Sequence, residues 1–474
     1  MKKLLIIIVV LQALQVANAQ NYGNVWQFGN NIGLDFNNCT PNVIIGSNVG
    51  FEGCSSFSDT NGQLLFYTNS DKVWNKLHNE MANGNLITTS GSLSQVLIIP
   101  KPLSSQIYYI LTVNHQAGSN FSFQYHEVDM LLNGGLGDVS NKNNNISTIN
   151  ITEQVCATYH TNGIDIWVVT HEYGTSNFLA FLVTSSGISL TPIVSNVGPA
   201  HKVCTFNLNA RGEIKFSPDG TRLAFNANGI GGVDSTNILC LFDFDKSTGL
   251  ISNPIDLPYS GCEFGLSFSP DNSKLYGATW VAVTFTSNYY NYLYQFDLSA
   301  GNAAAIINSK MVVDSMQESY GSLKIGPNGK IYVREANSNY LGIINLPNQS
   351  GLACNYIKNG LFIGSQGNQY GLNNYIEYSQ YCTVTDASTK NTIARSAIFS
   401  PNPFSIKTVL KANEELMNAT LILYNVFGEK VKEINNISGL TFILYGNSLP
   451  RGMYLYKLID KNVVVSTDKL VIIN

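Results

Sequence analysis

The alternation of apolar and polar positions is clearest between residues 214 and 225, where two short strands flank a tight turn. Ile214 and Phe216 alternate with polar residues before the turn, and Leu223 and Phe225 resume the apolar face after it. The intervening Ser-Pro-Asp-Gly combines a fixed φ, a side chain that bonds its own backbone and a glycine that tolerates positive φ. The stretch therefore predicts a β-hairpin.

This hairpin pattern recurs along most of the chain. Each copy has an apolar strand, then a turn rich in Gly, Asn, Asp or Ser, then an aromatic residue. The turns fall near residues 61, 104, 162, 219, 271 and 328, about 43 to 58 residues apart. Further strands follow the hairpins, for example at 178–183, 238–244 and 291–298. A repeat of this length with four strands is typical of a β-propeller blade, and such blades must pack around an axis to bury both faces.

The two ends of the repeat region predict one composite blade. Residues 24–29 and 33–36 indicate strands with no inner strand before them, and residues 369–376 indicate an inner strand with no complete blade behind it. Joined, they would close the ring and remove the sheet edges that favour aggregation. We therefore predict an all-β chain whose propeller has seven blades, with six or eight as the alternatives.

Composition and the first residues favour an exported protein. The chain of 474 residues is 44% hydrophobic and only 12% charged, and its formal net charge is −4. Without a cluster of Lys and Arg, no nucleic-acid partner is expected. Two lysines precede an apolar run at 4–11 and an Ala-Asn-Ala site at 17–19, so residues 1–19 are predicted to be a secretory signal peptide. No later apolar stretch reaches about 18 residues, so no membrane span is predicted.

Export permits disulfides among the eight cysteines. Their spacings are wide and irregular, and several, such as Cys156 and Cys240, lie within apolar strand patterns, so buried free thiols are the alternative. Cys354 with Cys382 is the first pair that we would test. No Cys-x-x-Cys occurs, so neither a zinc site nor another cofactor is expected.

Residues 26–36, Trp-Gln-Phe-Gly-Asn-Asn-Ile-Gly-Leu-Asp-Phe, resemble the W-x-F-G-x-x-x-G-L-D-F opening of a set of secreted Bacteroidetes propellers. Segments 52–54, 65–75, 127–139 and 167–171 are similar to the same set. The resemblance covers about residues 24–380. It implies a WD-repeat-like propeller, usually without an assigned molecular activity.

After the propeller domain, placed at residues 20–382, the pattern changes. Residues 383–399 are polar and rich in Ser, Thr, Ala and Lys, which is typical of a linker. Short strands resume from residue 400, about seven of them in some 75 residues. This spacing predicts a small Ig-like β-sandwich at 400–474.

Four segments of this module resemble the type A sorting domain of the Bacteroidetes type IX secretion system. They are 401–404 (Pro-Asn-Pro-Phe), 424–431 (Tyr-Asn-Val-Phe-Gly-Glu-Lys-Val), 449–454 (Leu-Pro-Arg-Gly-Met-Tyr) and 469–473. The positions that represent them are Pro401, Asn402, Pro403, Phe404, Gly428, Gly452, Tyr454 and Lys469. The resemblance implies a signal that the outer-membrane translocon recognises, so that the protein passes through the periplasm and is released or attached at the cell surface. The alternative is an ordinary Ig-like adhesive domain.

The sequence lacks strong catalytic motifs. It contains no Gly-x-Ser-x-Gly nucleophile elbow, and His171-Glu172 lacks the second histidine of a zinc-protease helix. The glycines of segment 326–330 do not have P-loop spacing, so this segment is interpreted as a turn. We therefore predict no catalytic residue and no metal site.

The candidate ligand-binding residues are four glutamates near the starts of predicted inner strands: Glu52, Glu153, Glu213 and Glu263. Inner-strand starts converge at one mouth of a propeller, where carboxylates could bind a cation or a basic or hydroxyl-rich ligand. The alternative is that each glutamate is solvated or pairs with a local backbone amide. Three histidines are interpreted as turn or packing residues: His160, His171 and His201.

Two functions remain open. The first is a non-enzymatic surface protein that binds a glycan or a protein. The alternative is a carbohydrate-active enzyme, a glycosidase or lyase; a glycosidase needs two carboxylates about 5–9.5 Å apart across a pocket. A deep axial pocket with such a pair would favour the enzyme, and a shallow face would favour binding. The fold alone decides neither.

Overall fold

The computed structural model describes residues 21–50, 52–86, 95–115, 121–200, 210–227, 238–258, 262–280, 290–364, 369–378, 381–382, 397–425, 429–446, 449–460 and 463–473. The predicted signal peptide, residues 383–396 of the predicted linker, His201 and Gly428 lie outside these ranges. The chain forms two compact units, residues 1–384 and 385–474. Among the described helices, none has the length and apolar character needed to cross a membrane.

The described part of the first unit consists of successive antiparallel meanders. The first meander contains β1 (Val25–Phe28), β2 (Asn30–Asp35) and β3 (Asn42–Val49). The second contains β4 (Ser55–Ser58), β5 (Leu64–Thr68), β6 (Lys72–Asn75) and β7 (Glu80–Asn85). The third contains β8 (Val96–Pro100), β9 (Ile107–His115), β10 (Phe121–Asp129) and β11 (Asp138–Ser147). The fourth contains β12 (Cys156–Tyr159), β13 (Ile166–His171) and β14 (Asn177–Thr184), with β15 (Gly187–Ile188) and β16 (Ile193–Asn196) both paired to β14. The second and third meanders also join through one parallel pair, Ala82 with Asp138.

Three further meanders complete this unit. They contain β17 (Ile214–Phe216), β18 (Arg222–Ala227), β19 (Ile238–Phe244) and β20 (Ile251–Asp256); β21 (Cys262–Phe268), β22 (Lys274–Trp280), β23 (Asn291–Asp297) and β24 (Met311–Met316); and β25 (Tyr320–Ile325), β26 (Ile331–Glu335), β27 (Tyr340–Ile344) and β28 (Tyr356–Phe362). The described helical turns are short: Asn133–Gly135, Leu298–Ala300, Ala303–Asn308 and Gly351–Cys354.

All six hairpins that the sequence predicts are confirmed as the first two strands of the second to seventh meanders. In the hairpin at residues 214–225, Ile214 pairs with Phe225 and Phe216 with Leu223. Gly220 adopts φ 72°, and the Asp219 carboxylate accepts a hydrogen bond from the Thr221 amide at 3.0 Å. The turn chemistry therefore fixes the register as expected.

The apolar cores of the first unit join neighbouring meanders. Ile99 and Phe123 of the third meander, for example, pack with Val168 and Phe181 of the fourth. The seventh meander returns to the first, since Tyr332 packs with Trp26, with ring centroids 5.6 Å apart. Successive stacking that comes back to its start is the arrangement of a β-propeller.

Residues 369–378 run along the inner end of the ring, but they form a single bridge rather than the predicted strand. Asn373 bridges to Cys54 in parallel, and the Asn374 amide donates to the Cys54 carbonyl at 2.8 Å. The Asn373 side chain then accepts a hydrogen bond from the Ser56 amide at 2.6 Å. A side chain thus makes a hydrogen bond that the backbone would make in a regular β-ladder.

Glycines allow the inner segments to touch backbone to backbone. A Cβ on Gly265 would overlap the carbonyl of Gly321, and one on Gly321 would overlap the carbonyl of Tyr370. A Cβ on Gly371 would likewise overlap the carbonyl of Glu52. These approaches leave no room for a side chain between neighbouring inner segments.

The disulfide prediction was wrong. Cys382 pairs with Cys39, at a Cα–Cα distance of 5.8 Å, while Cys354 is a buried free thiol. Cys39 follows β2 of the first meander, and the Cys382 amide donates to the Pro327 carbonyl of the seventh at 2.7 Å. The Cys39–Cys382 bond forms because the ring brings the first and seventh meanders together. The spacing of the cysteines along the chain does not indicate that these meanders are neighbours.

Loss of this bond should destabilise the first unit. We expect Cys39→Ser to lower the free energy of unfolding by about 2–4 kcal/mol, since the bond constrains a loop spanning 343 residues in the unfolded chain. Equilibrium denaturation of the oxidised protein measures this. Cys354→Ser, at a free thiol, is the control for thiol loss, and reductant should not further weaken Cys39→Ser. Equal stability of Cys39→Ser and the unaltered protein would contradict the bond.

The second unit is a separate β structure. Its strands are β29 (Ala397–Ser400), β30 (Lys407–Tyr424), β31 (Lys430–Tyr445), β32 (Gly452–Asp460) and β33 (Val463–Ile472). The order is β29-β30-β32-β33, and β31 pairs with β30. Leu410, Leu421, Tyr454 and Leu470 share one core.

Two details of the second unit differ from the prediction. Its described residues form five strands rather than about seven, because β30 and β31 are long and change register between Lys411 and Leu421. Asn418 has φ 69° within this region, so one bent strand serves as two short ones. β29 also begins within the predicted linker, where Ala397 and Phe399 are buried in the core.

Candidate functional site

Two of the four predicted glutamates, Glu52 and Glu153, share one electrostatic environment. Glu52 is 8% exposed and Glu153 is 2% exposed. Burial raises the pKa of Glu52 to about 8; the charge of Arg211 opposes this shift and the charge of Glu153 adds to it. Burial likewise raises the pKa of Glu153 to about 7, against the opposing charge of Arg211. Both glutamates therefore hold protons in a pH range where exposed carboxyls have lost them.

Arg211 is the cation of this cluster, and sequence reasoning missed it. Its Nε lies 3.9 Å from Glu153 Oε2, and its side chain is 36% exposed. Glu52 Oε2 is buried and has no hydrogen-bond partner among the described residues. Arg211 lies two residues before Glu213, at the same strand entry, which is the signal that could have identified it.

Two amide side chains beside the cluster also keep unused hydrogen-bonding capacity within the described residues: Gln154 Oε1 and Asn226 Nδ2. Gln154 Nε2 donates to the Asn226 backbone carbonyl at 2.9 Å, and Asn226 Oδ1 accepts from the Glu213 amide at 2.6 Å, so each side chain is held in place by one bond. Glu52, Glu153, Arg211, Gln154 and Asn226 are named the carboxyl cluster. It combines groups that can donate and accept hydrogen bonds with a guanidinium fork.

Glu213 has a different role. Its Oε2 lies 3.0 Å from Lys215 Nζ and accepts from the Leu266 amide at 2.6 Å, while its Oε1 accepts from the Ser322 hydroxyl. Both oxygens are thus engaged by neighbouring inner strands. Glu263 lies on β21, and its side chain is outside the described residues, so the site prediction depends on Glu52 and Glu153.

Buried lysines span the axis of the first unit. Lys215 Nζ donates to the carbonyls of Leu266, at 2.7 Å, and Leu323, which belong to two different meanders. Lys324 Nζ lies 2.7 Å from Glu377 Oε1 and donates to the Tyr375 carbonyl at 3.0 Å. These side chains, with Glu213, are named the axial plug. Polar contacts of these side chains therefore link the inner segments of different meanders.

The described histidines agree with their packing interpretation. His171 is buried, with its ring 4.5 Å from Phe178 and 4.8 Å from Phe225 by centroids. His160 Nδ1 accepts a hydrogen bond from the Asn162 amide at 3.0 Å within a turn. Among the described residues, no group of three or more His, Cys, Asp or Glu is arranged to hold a metal ion.

A surface groove of about 370 Å³ lies on the fourth meander. Its floor includes Trp167, Leu182 and Ile188, and its rim carries hydroxyls such as Thr184 and Ser189. No acidic side chain lines it. No residue of the carboxyl cluster lines this groove, so the two are separate.

The raised pKa of Glu52 predicts a loss of stability at high pH. The unfolded carboxyl releases its proton near pH 4.5 and the folded one near pH 8, so stability falls as the pH rises through this range. A shift of this size corresponds to roughly 5 kcal/mol if the group acts alone. We expect the melting temperature to fall between pH 5 and 9, and Glu52→Gln to flatten that slope. Glu80→Gln, at an exposed site, is the control, and an unchanged slope in Glu52→Gln would contradict the burial of an ionising group.

In comparisons with known proteins, this chain is similar only to solved structures, and that similarity is distant. The chain matches no protein-family model and no curated protein. Among solved structures it is similar to a functionally unknown protein from Desulfotomaculum acetoxidans, at 14% identity and a TM-score of 0.35, covering 70% of this chain and 85% of that one. It is also similar to the Dos1 propeller, at 8% identity and a TM-score of 0.38, covering 64% and 70%. The dihydro-heme d1 dehydrogenase NirN gives 10% identity, a TM-score of 0.38 and coverage of 72% and 74%. These likenesses carry no information on ligand or activity.

Proposed function

We propose that this chain is an exported, ligand-binding protein on a seven-bladed propeller, and that residues 400–474 are its export signal. Seven blades follow if residues 369–376, which form one bridge rather than a strand, occupy the inner position of the first meander, which otherwise has three strands. Tyr375 supports this assignment, because its ring lies 6.1 Å from that of Trp26 on β1.

The ligand site is the carboxyl cluster. The observation that carries this proposal is that Glu52 Oε2 is buried and has no hydrogen-bond partner among the described residues. Glu153, a second protonated carboxyl, and Arg211 lie close to it. A protonated carboxyl both donates and accepts, and a guanidinium offers a planar set of donors. Such a group suits a ligand dense in hydroxyls, so a glycan is the expected class.

A glycan and protein array probed with the chain from residue 20 tests the binding site. We expect retention of a hydroxyl-rich ligand, reduced at least tenfold by Glu52→Gln with Glu153→Gln. Both substitutions keep the size of the side chain, and Glu80→Gln is the exposed control. Equal retention by the double variant would remove the carboxyl cluster from the proposal.

The export role rests on the second unit. It is a compact unit, and it contains the described residues of all four segments that resemble the sorting domain. Its proposed partner is the type IX translocon, reached through the periplasm after removal of residues 1–19. We expect deletion of 400–474 to leave the protein in the periplasm of a type IX host, as measured by fractionation. Normal amounts of the truncated protein in the medium would refute the sorting role.

The second candidate function is a carbohydrate-active enzyme. One observation favours it: pKa values of about 8 and about 7 for Glu52 and Glu153 suit a general acid at neutral pH. The lysine contacts that join the inner segments and the lack of acidic side chains in the lining of the 370 Å³ groove support binding instead. Incubating the retained glycan with the chain separates the two, because an enzyme would release products and Glu52→Gln would stop their release.

A further inference from the structure

We propose that the four sorting segments act together as one docking face on the second unit, made for a protein partner with an apolar surface bordered by carboxylates. This inference rests on the proposed export function and adds the contact surface and its chemistry. The face is defined by Tyr424, Met453, Leu455 and Val471, with Lys430, Lys457 and Lys469 at its borders.

The first and last segments are joined by hydrogen bonds, although they lie at opposite ends of the unit. Asn402 Nδ2 donates to the Lys469 carbonyl at 2.8 Å, and Asn402 Oδ1 accepts from the Val471 amide at 2.9 Å. The Phe404 amide donates to the Val471 carbonyl at 3.0 Å. The Pro-Asn-Pro-Phe segment therefore holds the end of β33 in place.

The other two segments continue the same row across the sheet. Met453 on β32 lies opposite Val471 on β33, and Leu455, which directly follows the third segment, lies opposite Lys469. On its other side, Leu455 lies opposite Tyr424 on β30. Directly opposite residues have Cβ atoms about 4.5–5.5 Å apart, so these side chains form a continuous surface. Segments spread over more than seventy positions of the sequence thus become neighbours in the order first, last, third, second.

Alternation along the strands decides which side chains face outwards. Tyr454, Tyr456, Leu470 and Ile472 are buried in the core of the unit. Met453 and Leu455 point to the opposite side, where they are 49% and 50% exposed. Single exposed apolar residues are common, but Met453, Leu455, Tyr424 and Val471 are neighbours across three strands, and a contiguous apolar patch of this kind indicates a contact surface.

Charge on the face selects the chemistry of the partner. Lys469 and Lys430 stand at its two sides, and Lys457 follows Leu455 on β32. Glu433, an acid of this face, is paired with Lys430 at 2.7 Å, and both are exposed, so the bond adds little stability. A partner with an apolar centre and carboxylates at its rim would match both features. The lysines occupy fixed strand positions, which favours a rigid protein surface over a layer of anionic headgroups.

Export of full-length variants tests the docking face. We expect Met453→Glu with Lys469→Glu, both within the four segments, to lower the amount outside the cells at least tenfold, while the purified variant keeps its melting temperature. Ile443→Glu is the matched control, because Ile443 is 44% exposed on β31 and lies outside the four segments. The control should be exported normally.

Three results would overturn the docking face. Normal export of the double variant, when deletion of 400–474 blocks export, would refute the face and leave the export function standing. Equal loss in Ile443→Glu would mean that any exposed charge disturbs the unit. Binding of the purified chain to phosphatidylglycerol vesicles, abolished by the double variant while export stays normal, would assign the face to a membrane. Normal export of the deletion variant would instead refute the export function itself.

Discussion

Replacing Lys324 with methionine is expected to lower the free energy of unfolding by about 3–5 kcal/mol, because it leaves the buried Glu377 carboxylate without its cation. The two side chains are 2% and 7% exposed, and their charged atoms lie 2.7 Å apart. The Lys324 ammonium also lies 3.9 Å from the centroid of the Tyr375 ring. Burial lowers the pKa of Lys324, and the charge of Glu377 raises it again. Equilibrium denaturation of Lys324→Met measures the cost.

The double variant separates charge pairing from simple loss of packing. Lys324→Met with Glu377→Leu removes both charges, and replacement of a whole buried pair by apolar residues is often nearly neutral. We expect it to recover most of the stability lost in the single variant. Additive losses in the two single variants would show that Lys324 and Glu377 are not coupled.

The second large effect is expected at the ring closure. Gly371→Ala places a Cβ against the Glu52 carbonyl, and two backbones must separate to admit it. Neither backbone can rotate away as a flexible side chain would, so we expect a loss on the order of 3 kcal/mol or more. The melting temperature of the purified chain measures this loss.

Gly50→Ala is the matched control for this substitution. Its nearest atoms would lie 3.5 Å from the new Cβ, an ordinary contact, so its stability should change little. Because Gly371 touches Glu52, the strained variant should also lose the ligand retention assigned to the carboxyl cluster. A stable Gly371→Ala with full retention would contradict the close packing of residues 369–378 on β4.

Local chemistry made the hairpins predictable. The turn of residues 217–220 is stabilised by its own residues, since Ser217 Oγ donates to Asp219 Oδ1 at 2.6 Å and Gly220 supplies the positive φ. Related chemistry, a polar side chain that bonds within its own turn and a residue with positive φ, recurs in the five other turns, so the repeat and its strands could be inferred without tertiary information. The stacking of one meander on the next then followed from the need to bury two apolar faces.

Long-range partners could not be inferred in this way. Lys215 and Lys324 each stand between apolar neighbours in strands that are wholly buried, which was a visible signal of an unusual interior. Nothing local indicated that their partners were carbonyls and carboxylates of other meanders. The Cys39–Cys382 bond is hidden for the same reason.

The candidate site was predicted in part. Strand-entry position identified Glu52 and Glu153, which do share one environment. It also selected Glu213, whose oxygens are used by the axial plug. Strand entry determines which end of the ring a residue occupies, whereas the partners around it depend on neighbouring meanders and are invisible in a single sequence.

The position of residues 369–378 near the end of the first unit determines when the ring can close during synthesis. Asn373 and Ser56, which bond directly, are separated by 317 positions, so the ribosome finishes almost the whole first unit before they can meet. Contacts of such high sequence separation form slowly. A nascent chain therefore remains an open array of meanders until residues 369–378 have been made, and the ring becomes complete after that.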